Sequence, residues 1–151
     1  MLFRSSRDVG KLERARTFGA VETIQDTGGN ILDCVMDLTN RRGVDVVIEN
    51  VGEAVWSTAM RALVRGGRLV TCGATTGYDA KLDLRFLFTR QLSIMGSYMG
   101  TKSELRTVLK LVAQGRLKPT VDKVFDLSDC MAAHNYLEKA KQFGKVVLRV
   151  E

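Results

Sequence analysis

The sequence predicts an α/β fold built on a doubly wound parallel sheet, and three observations carry that reading. The runs VDVVIENVG and GRLVTCGATTG are apolar and β-branched with little alternation, as expected of strands covered on both faces inside a parallel sheet. Segments of helical period separate such runs, so strand and helix alternate along the chain and right-handed crossovers are expected. Fourteen glycines stand against a single proline, Pro119, a composition that permits many tight turns and enforces few kinks.

Taken in order, the segment KLERARTFGA comes first. Its Leu12, Ala15 and Phe18 recur three apart between charges, which predicts a surface helix over 11–18 with Gly19 as its C-terminal cap. A short strand is expected over 20–24 and a loop at Gly28 and Gly29. Asn30 is placed to cap a helix carrying Ile31, Val35, Met36 and Leu38, closed by Arg41, Arg42 and Gly43. The next strand, 44–51, has polar Glu49 and Asn50 at its carboxyl end. A helix over 54–63 stops at Gly66 and Gly67, and the strand that follows ends in small residues.

LDLRFLFTRQ then suggests a brief helix and LSIMGSYMG a third apolar strand. Thr101 and Glu104 have capping-box spacing ahead of a helix with Leu105, Val108, Leu109, Leu111 and Val112 that ends at Gly115. LKPTVDKVFDL reads as extended, Ser128 as the cap of a last helix through Leu137, and GKVVLRV as a final strand. No internal repeat and no low-complexity segment interrupts the order.

A chain of 151 residues with 45% apolar content can bury a real core, which excludes global disorder. Lysine and arginine outnumber aspartate and glutamate by 23 to 17, a formal charge of +6 that favours phosphate-bearing ligands by long-range steering. The basic residues are scattered, without a basic stretch interleaved with aromatics, so nucleic acid is not the expected partner. Cys34, Cys72 and Cys130 are odd in number and widely spaced, offering neither a disulfide framework nor a metal knuckle. The opening residues lack an apolar region of signal-peptide length, and no later run approaches a membrane span. A cytoplasmic protein with reduced thiols is expected.

In doubly wound sheets ligands sit outside the carboxyl ends of the strands. That rule makes Asn50, Val51 and Gly52 one wall of a candidate crevice and Gly73, Ala74, Thr75 and Thr76 the next. Backbone donors beside small side chains let a flat or phosphorylated ligand come close, although the same residue types are common turn formers. Glu49 has the position of a general base or of a carboxylate that caps a strand end. His134, the only histidine, is read as packed or hydrogen-bonded on the last helix, Cys72 as a small core residue, and Trp56 as a helix anchor. None of these points to a catalytic residue, and without paired Cys and His ligands no metal site is expected.

The segments KLERARTFGA, RRGVDVVIENVG, GGRLVTCGATTGYDAKLDLRFLFTRQLSIMGSYMG and QFGKVVLRV together resemble, in order and spacing, the medium-chain dehydrogenases and reductases, in the branch of quinone oxidoreductases and zinc-type alcohol dehydrogenases. The resemblance implies a Rossmann-like sheet and hydride transfer by a nicotinamide cofactor. It also implies that the chain matches only the cofactor-binding part, with the first strand, the glycine-rich turn, the first helix and the catalytic domain missing. MLFRSS then corresponds to the second strand. Residues 1–120 would form an incomplete NAD(P)-binding domain and 121–151 a strand-helix-strand return that joins the catalytic domain.

By the same resemblance Ser5, Ser6, Arg7 and Lys11 lie where the adenosine ribose is read. A neutral Ser6 with Arg7 beside it favours NADP over NAD, though Arg7 and Lys11 are also ordinary charges for a first helical turn. Asn50, Val51 and Gly52 would border the adenosine side, Gly73, Ala74, Thr75 and Thr76 the nicotinamide ribose and ring, and Lys145 the pyrophosphate. No zinc is expected in this portion. In the family order 3-2-1-4-5-6, loss of the first strand leaves two inner edges unpaired. A homo-oligomer through the strand at 92–98 or through those edges is therefore expected, with weak NADPH binding and no activity by the chain alone. The alternative is a non-catalytic dimerisation or binding module derived from the family.

Overall fold

Strand and helix alternate in the computed structural model, which describes residues 2–150. The first unit, 1–98, runs β1 (Phe3–Ser6), α1 (Val9–Thr17), β2 (Glu22–Gln25), α2 (Ile31–Leu38), β3 (Val44–Glu49), α3 (Glu53–Ala62), β4 (Leu63–Thr71), α4 (Leu84–Thr89) and β5 (Ser93–Gly96). Met1, the first residue of the MLFRSS segment, lies outside the described residues. The second unit, 99–151, holds α5 (Lys102–Ala113), β6 (Val121–Asp126), a 3-10 turn at Leu127–Asp129, α6 (Cys130–Glu138) and β7 (Lys145–Arg149).

All strand pairs are parallel, as the unbroken apolar runs predict. β1 pairs with β2, β4 lies between β3 and β5, and β6 pairs with β7. Among the described residues β1 has only β2 beside it and β3 only β4, so one edge of each carries no strand. The described residues therefore form a parallel α/β fold divided into three sheets, with breaks between β2 and β3 and between β5 and β6.

The first unit is held by two apolar clusters. Leu63 and Leu69 of β4 are fully buried with Ala59 and Met60 of α3 and with Leu92, and Val44, Val47 and Trp56 pack around them. Burial of each such leucine stabilises by about 1.5–3 kcal/mol. Ile24 of β2, Val35 of α2 and Ala62 of α3 form the second cluster, which ties the β1–β2 pair to the three-stranded sheet through helices.

Several local expectations need correction. β3 is not covered on both faces: Ile48 is 77% exposed and Val46 42%, on the face opposite the one through which Val47 packs against the first cluster. Asn30 precedes α2 without a side-chain cap bond; its Oδ1 accepts from Thr27 N and its Nδ2 donates to Gln25 O, which braces the loop behind it. Asp129, not Ser128, stands at the N-cap of α6, since the 3-10 turn takes up the serine. Cys72 lies just beyond β4 and is exposed, and His134 is exposed on α6.

In the second unit the capping box is present: Thr101 Oγ1 accepts from Glu104 N at 3.2 Å and Glu104 Oε2 accepts from Thr101 N at 2.6 Å. Tyr136 of α6 donates to Asp122 Oδ2 of β6 at 2.8 Å, and its ring lies 6.0 Å from that of Phe125.

Candidate functional site

The crevice wall begins with register. Glu49, the last residue of β3, sits opposite Thr71, the last residue of β4, so two adjacent parallel strands end level with each other. Glu49 is 4% exposed, the one polar residue among the fully covered side chains described. Its Oε1 accepts from Val51 N and from Gly52 N, the latter at 2.6 Å, and its Oε2 accepts from Thr71 Oγ1 at 3.2 Å. A buried carboxylate is costly unless its lone pairs are filled. Here backbone amides of the 50–52 turn and the hydroxyl of the neighbouring strand fill them. The sequence offered two roles for Glu49, and this geometry is that of a carboxylate bracing the strand end.

A second set of bonds closes the loops onto one another. Thr76 N and Thr76 Oγ1 both donate to Val51 O at 2.8 Å, Thr75 Oγ1 donates to the same carbonyl at 3.3 Å, and Ala54 N donates to Thr76 Oγ1 at 3.1 Å. Gly52 has φ +94°, and a Cβ there would strike Gly77 O; a Cβ on Gly73 would come 2.7 Å from Asn50 O. Both glycines are thus required by loop-to-loop contact. The outcome is one stiff rim of 50–53 against 73–77, with Ala74, Thr75 and Thr76 exposed along it.

The other predicted residues form a second cluster at the carboxyl end of β1. Ser6 O accepts from Asp26 N at 2.9 Å, and Ser6 Oγ accepts from Asp8 N at 3.1 Å. Its hydroxyl proton remains available for donation to a ligand. Asp8 is the N-cap of α1, its Oδ1 accepting from Lys11 N at 3.0 Å. Arg7 extends into solvent with its side chain 89% exposed, and its Nε lies 3.7 Å from Asp26 Oδ2. Ser5, exposed on β1, pairs with Ile24. Lys145 opens β7 in the second unit, where its amide donates to Thr120 O at 2.8 Å.

Three residues of these clusters escaped the sequence reading. Thr71 locks Glu49 from the next strand, a pairing that only register reveals. Asp8 was visible as an N-cap type one residue before α1. Asp26 follows β2 just as Arg7 follows β1, and parallel pairing brings the two charges together.

Among the described residues no set of three or more His, Cys, Asp or Glu side chains could hold a metal, and Cys34, Cys72 and Cys130 are separate free thiols. Nor is any helix among them long and apolar enough to cross a membrane. The rim offers exposed small residues at strand ends, and the β1 end offers a hydroxyl and an extended guanidinium.

Comparison with known proteins bears on the same stretch. The sequence model of a family described as "Zinc-binding dehydrogenase" matches residues 18–148. Quinone oxidoreductase-like protein 2 of Bos taurus is 29% identical over 150 residues, covering 93% of this chain and 43% of its own length. Crotonyl-CoA reductase of Streptomyces avermitilis is 30% identical over 112 residues, 74% of this chain and 25% of its own length. The crystal structure of an NAD-dependent alcohol dehydrogenase superposes with a TM-score of 0.88 at 38% identity, over 99% of this chain and 43% of that one. The chain thus spans less than half the length of the relatives it matches.

Proposed function

The chain belongs to the zinc-binding dehydrogenase family, and on that premise we propose that it contributes the nicotinamide-dinucleotide-binding part of an oxidoreductase acting on alcohols, quinones or enones. The observation that carries this reading is the stiff rim at the level ends of β3 and β4, where Glu49 and Thr76 hold two strand-end loops together. It lies where an open parallel sheet takes its ligand. The nicotinamide, when bound, supplies the hydride. The residues of this chain bind and orient: Asn50, Val51 and Gly52 on the adenosine side, and Gly73, Ala74, Thr75 and Thr76 toward the nicotinamide ribose. No step passes through zinc, for which these residues have no ligand set.

At the end of β1, Ser5, Ser6, Arg7 and Lys11 would receive the adenosine ribose. Ser6 carries no charge to repel a 2′-phosphate, and Arg7 can exchange its exposed contact with Asp26 for one. NADP is therefore the preferred cofactor in this reading, even though the 38% identical dehydrogenase is described as NAD-dependent. By itself the chain should bind the dinucleotide weakly. It has no glycine-rich strand-to-helix turn, whose amides supply most of the pyrophosphate affinity, and on this reading it is inactive alone.

Calorimetric titration with NADPH and NADH tests both statements. NADPH should bind more weakly than micromolar but ahead of NADH, and Arg7→Ala should remove that margin, roughly tenfold. Micromolar binding would overturn the weak-affinity statement, and an NADH preference untouched by Arg7→Ala would overturn the assignment of Arg7.

A second reading, assembly with another chain through strand pairing, is favoured by one observation: β3 presents an open edge beside exposed Val46 and Ile48. Open edges of this kind recruit strands. Homo-oligomers seen in sedimentation would support it, and a monomer at micromolar concentration would remove it.

A further inference from the structure

We propose that a cleft at the opposite end of the three-stranded sheet binds a small ligand carrying a phosphate monoester on a flat body with hydrogen-bond donors. The cleft, about 380 Å³, lies among α2, α3 and α4, within the range of sizes that hold small ligands. Leu32 and Met36 of α2 and Phe86 of α4 give it an apolar surface. Arg41 from the turn after α2, Arg61 from the last turn of α3 and Arg90 after α4 supply three positive charges.

Those charges are poorly compensated. Arg61 makes no ion pair or side-chain hydrogen bond among the described residues. Arg41 lies 3.9 Å from Asp37 with both side chains more than two-thirds exposed, a contact worth little. Arg90 is half-buried yet meets no carboxylate: its Nη2 donates to Leu63 O at 2.7 Å, its guanidinium lies 5.2 Å from the centre of the Phe86 ring, and its Nε is buried without a partner. Holding a guanidinium in place with neutral groups only is unfavourable unless an anion approaches. A phosphate in the cleft would supply that charge, and arginine forks suit its oxygens.

Among the described residues Asp33 is the one acid lining the cleft. It repels a bare polyanion but accepts from a hydroxyl or amino group, so the ligand must carry donors beside its phosphate. Leu32, Met36 and Phe86 favour a flat apolar ring at the same place. The cleft is separate from the rim described above. Arg90 is fixed at the start of β4 through Leu63 O, and through its own carbonyl, which accepts from Gly66 N at 2.8 Å. The rim lies past Thr71, where β4 ends.

Adenosine 5′-monophosphate is a suitable probe, with adenosine and inorganic phosphate as separate arms, followed by amide and arginine Nε–H NMR shifts. Adenosine 5′-monophosphate should give saturable shifts at Arg61, Phe86 and Arg90, and each half-molecule should bind at least ~10-fold more weakly. Arg61→Gln removes an exposed, unpaired charge without touching the core and should weaken binding ~10-fold, whereas Asp33→Asn should bring free phosphate closer to the affinity of the whole probe. Three results would each overturn the proposal: shifts confined to 50–53 and 73–77, a midpoint unchanged by Arg61→Gln, or inorganic phosphate binding the unaltered chain as well as the probe does.

Discussion

β3 and β4 lie side by side in one parallel sheet and are built from the same kind of residues, yet they are buried differently. Leu69 of β4 has 0% exposure, while Ile48 of β3, paired in register with the adjacent Val70, has 77%. The difference is one of neighbours. Leu69 of β4 and its register partner Val47 of β3 both face the cluster under α3, whereas Ile48 and its partner Val70 point to the opposite face of the sheet. An apolar run states how much surface a strand can bury, and the surrounding elements decide how much it does bury.

Two substitutions bracket that contrast with the largest expected effect. Leu69→Ala should destabilise by about 3 kcal/mol in urea unfolding, through lost transfer energy and a cavity. Ile48→Ala should stay within about 0.5 kcal/mol, as at any surface position. An equal loss at both sites would mean that Ile48 is covered in solution, for example by a second copy.

The next effect belongs to the place where the two strands are tied together. Glu49→Ala leaves Val51 N, Gly52 N and Thr71 Oγ1 without their shared acceptor and should cost about 2–3 kcal/mol. Glu49→Gln keeps an acceptor for the two amides and should cost about 1 kcal/mol. Hydrogen exchange at Val51 and Gly52 should quicken in the same order. If both variants exchange as slowly as the parent, the rim owes its stiffness to Thr76 instead.

Ile48→Lys sharpens the comparison without much change in stability. A charge beside the open edge of β3 blocks strand addition, so any self-association of the chain should fall in sedimentation while the urea midpoint holds. The matching change on the covered strand, Leu69→Lys, should prevent folding, since an unpaired charge would be buried.

How much of this was legible in the sequence follows the same division. Devices that act within a few residues were visible: the Thr101 and Glu104 capping box, Gly19 and Gly115 behind their helices, and the alternation of strand with helix. The parallel sheet followed from the apolar runs. What stayed hidden depended on partners brought in by folding. Glu49 could be read as a base or a brace until Thr71 was placed opposite it. Arg7 seemed unopposed until parallel pairing of β1 with β2 set Asp26 beside it. Arg41, Arg61 and Arg90 are some thirty or twenty residues apart along the chain, and only the packing of α2, α3 and α4 gathers them.

The smallest effect is expected where no neighbour is needed at all. The Glu104 carboxylate is held below its usual range, first by the amide of Thr101 and then by its hydroxyl, against a small opposing effect of desolvation. A depressed folded-state value means that the contribution is complete above the ordinary carboxylate range and is lost as pH falls through the lowered value. On acidification, Thr101 N should therefore lose its bond to Glu104 and the first turn of α5 should fray, read as a shift of the Thr101 and Glu104 amide signals. Thr101→Val removes the hydroxyl that links both halves of the box, so Glu104 should titrate closer to an ordinary glutamate in that variant. Ile48→Lys, altering only the β3 edge, should leave the titration unchanged. If the Glu104 titration moved with Ile48→Lys, the capping box would depend on neighbours as β3 does, and local and tertiary determinants would not be separable in this chain.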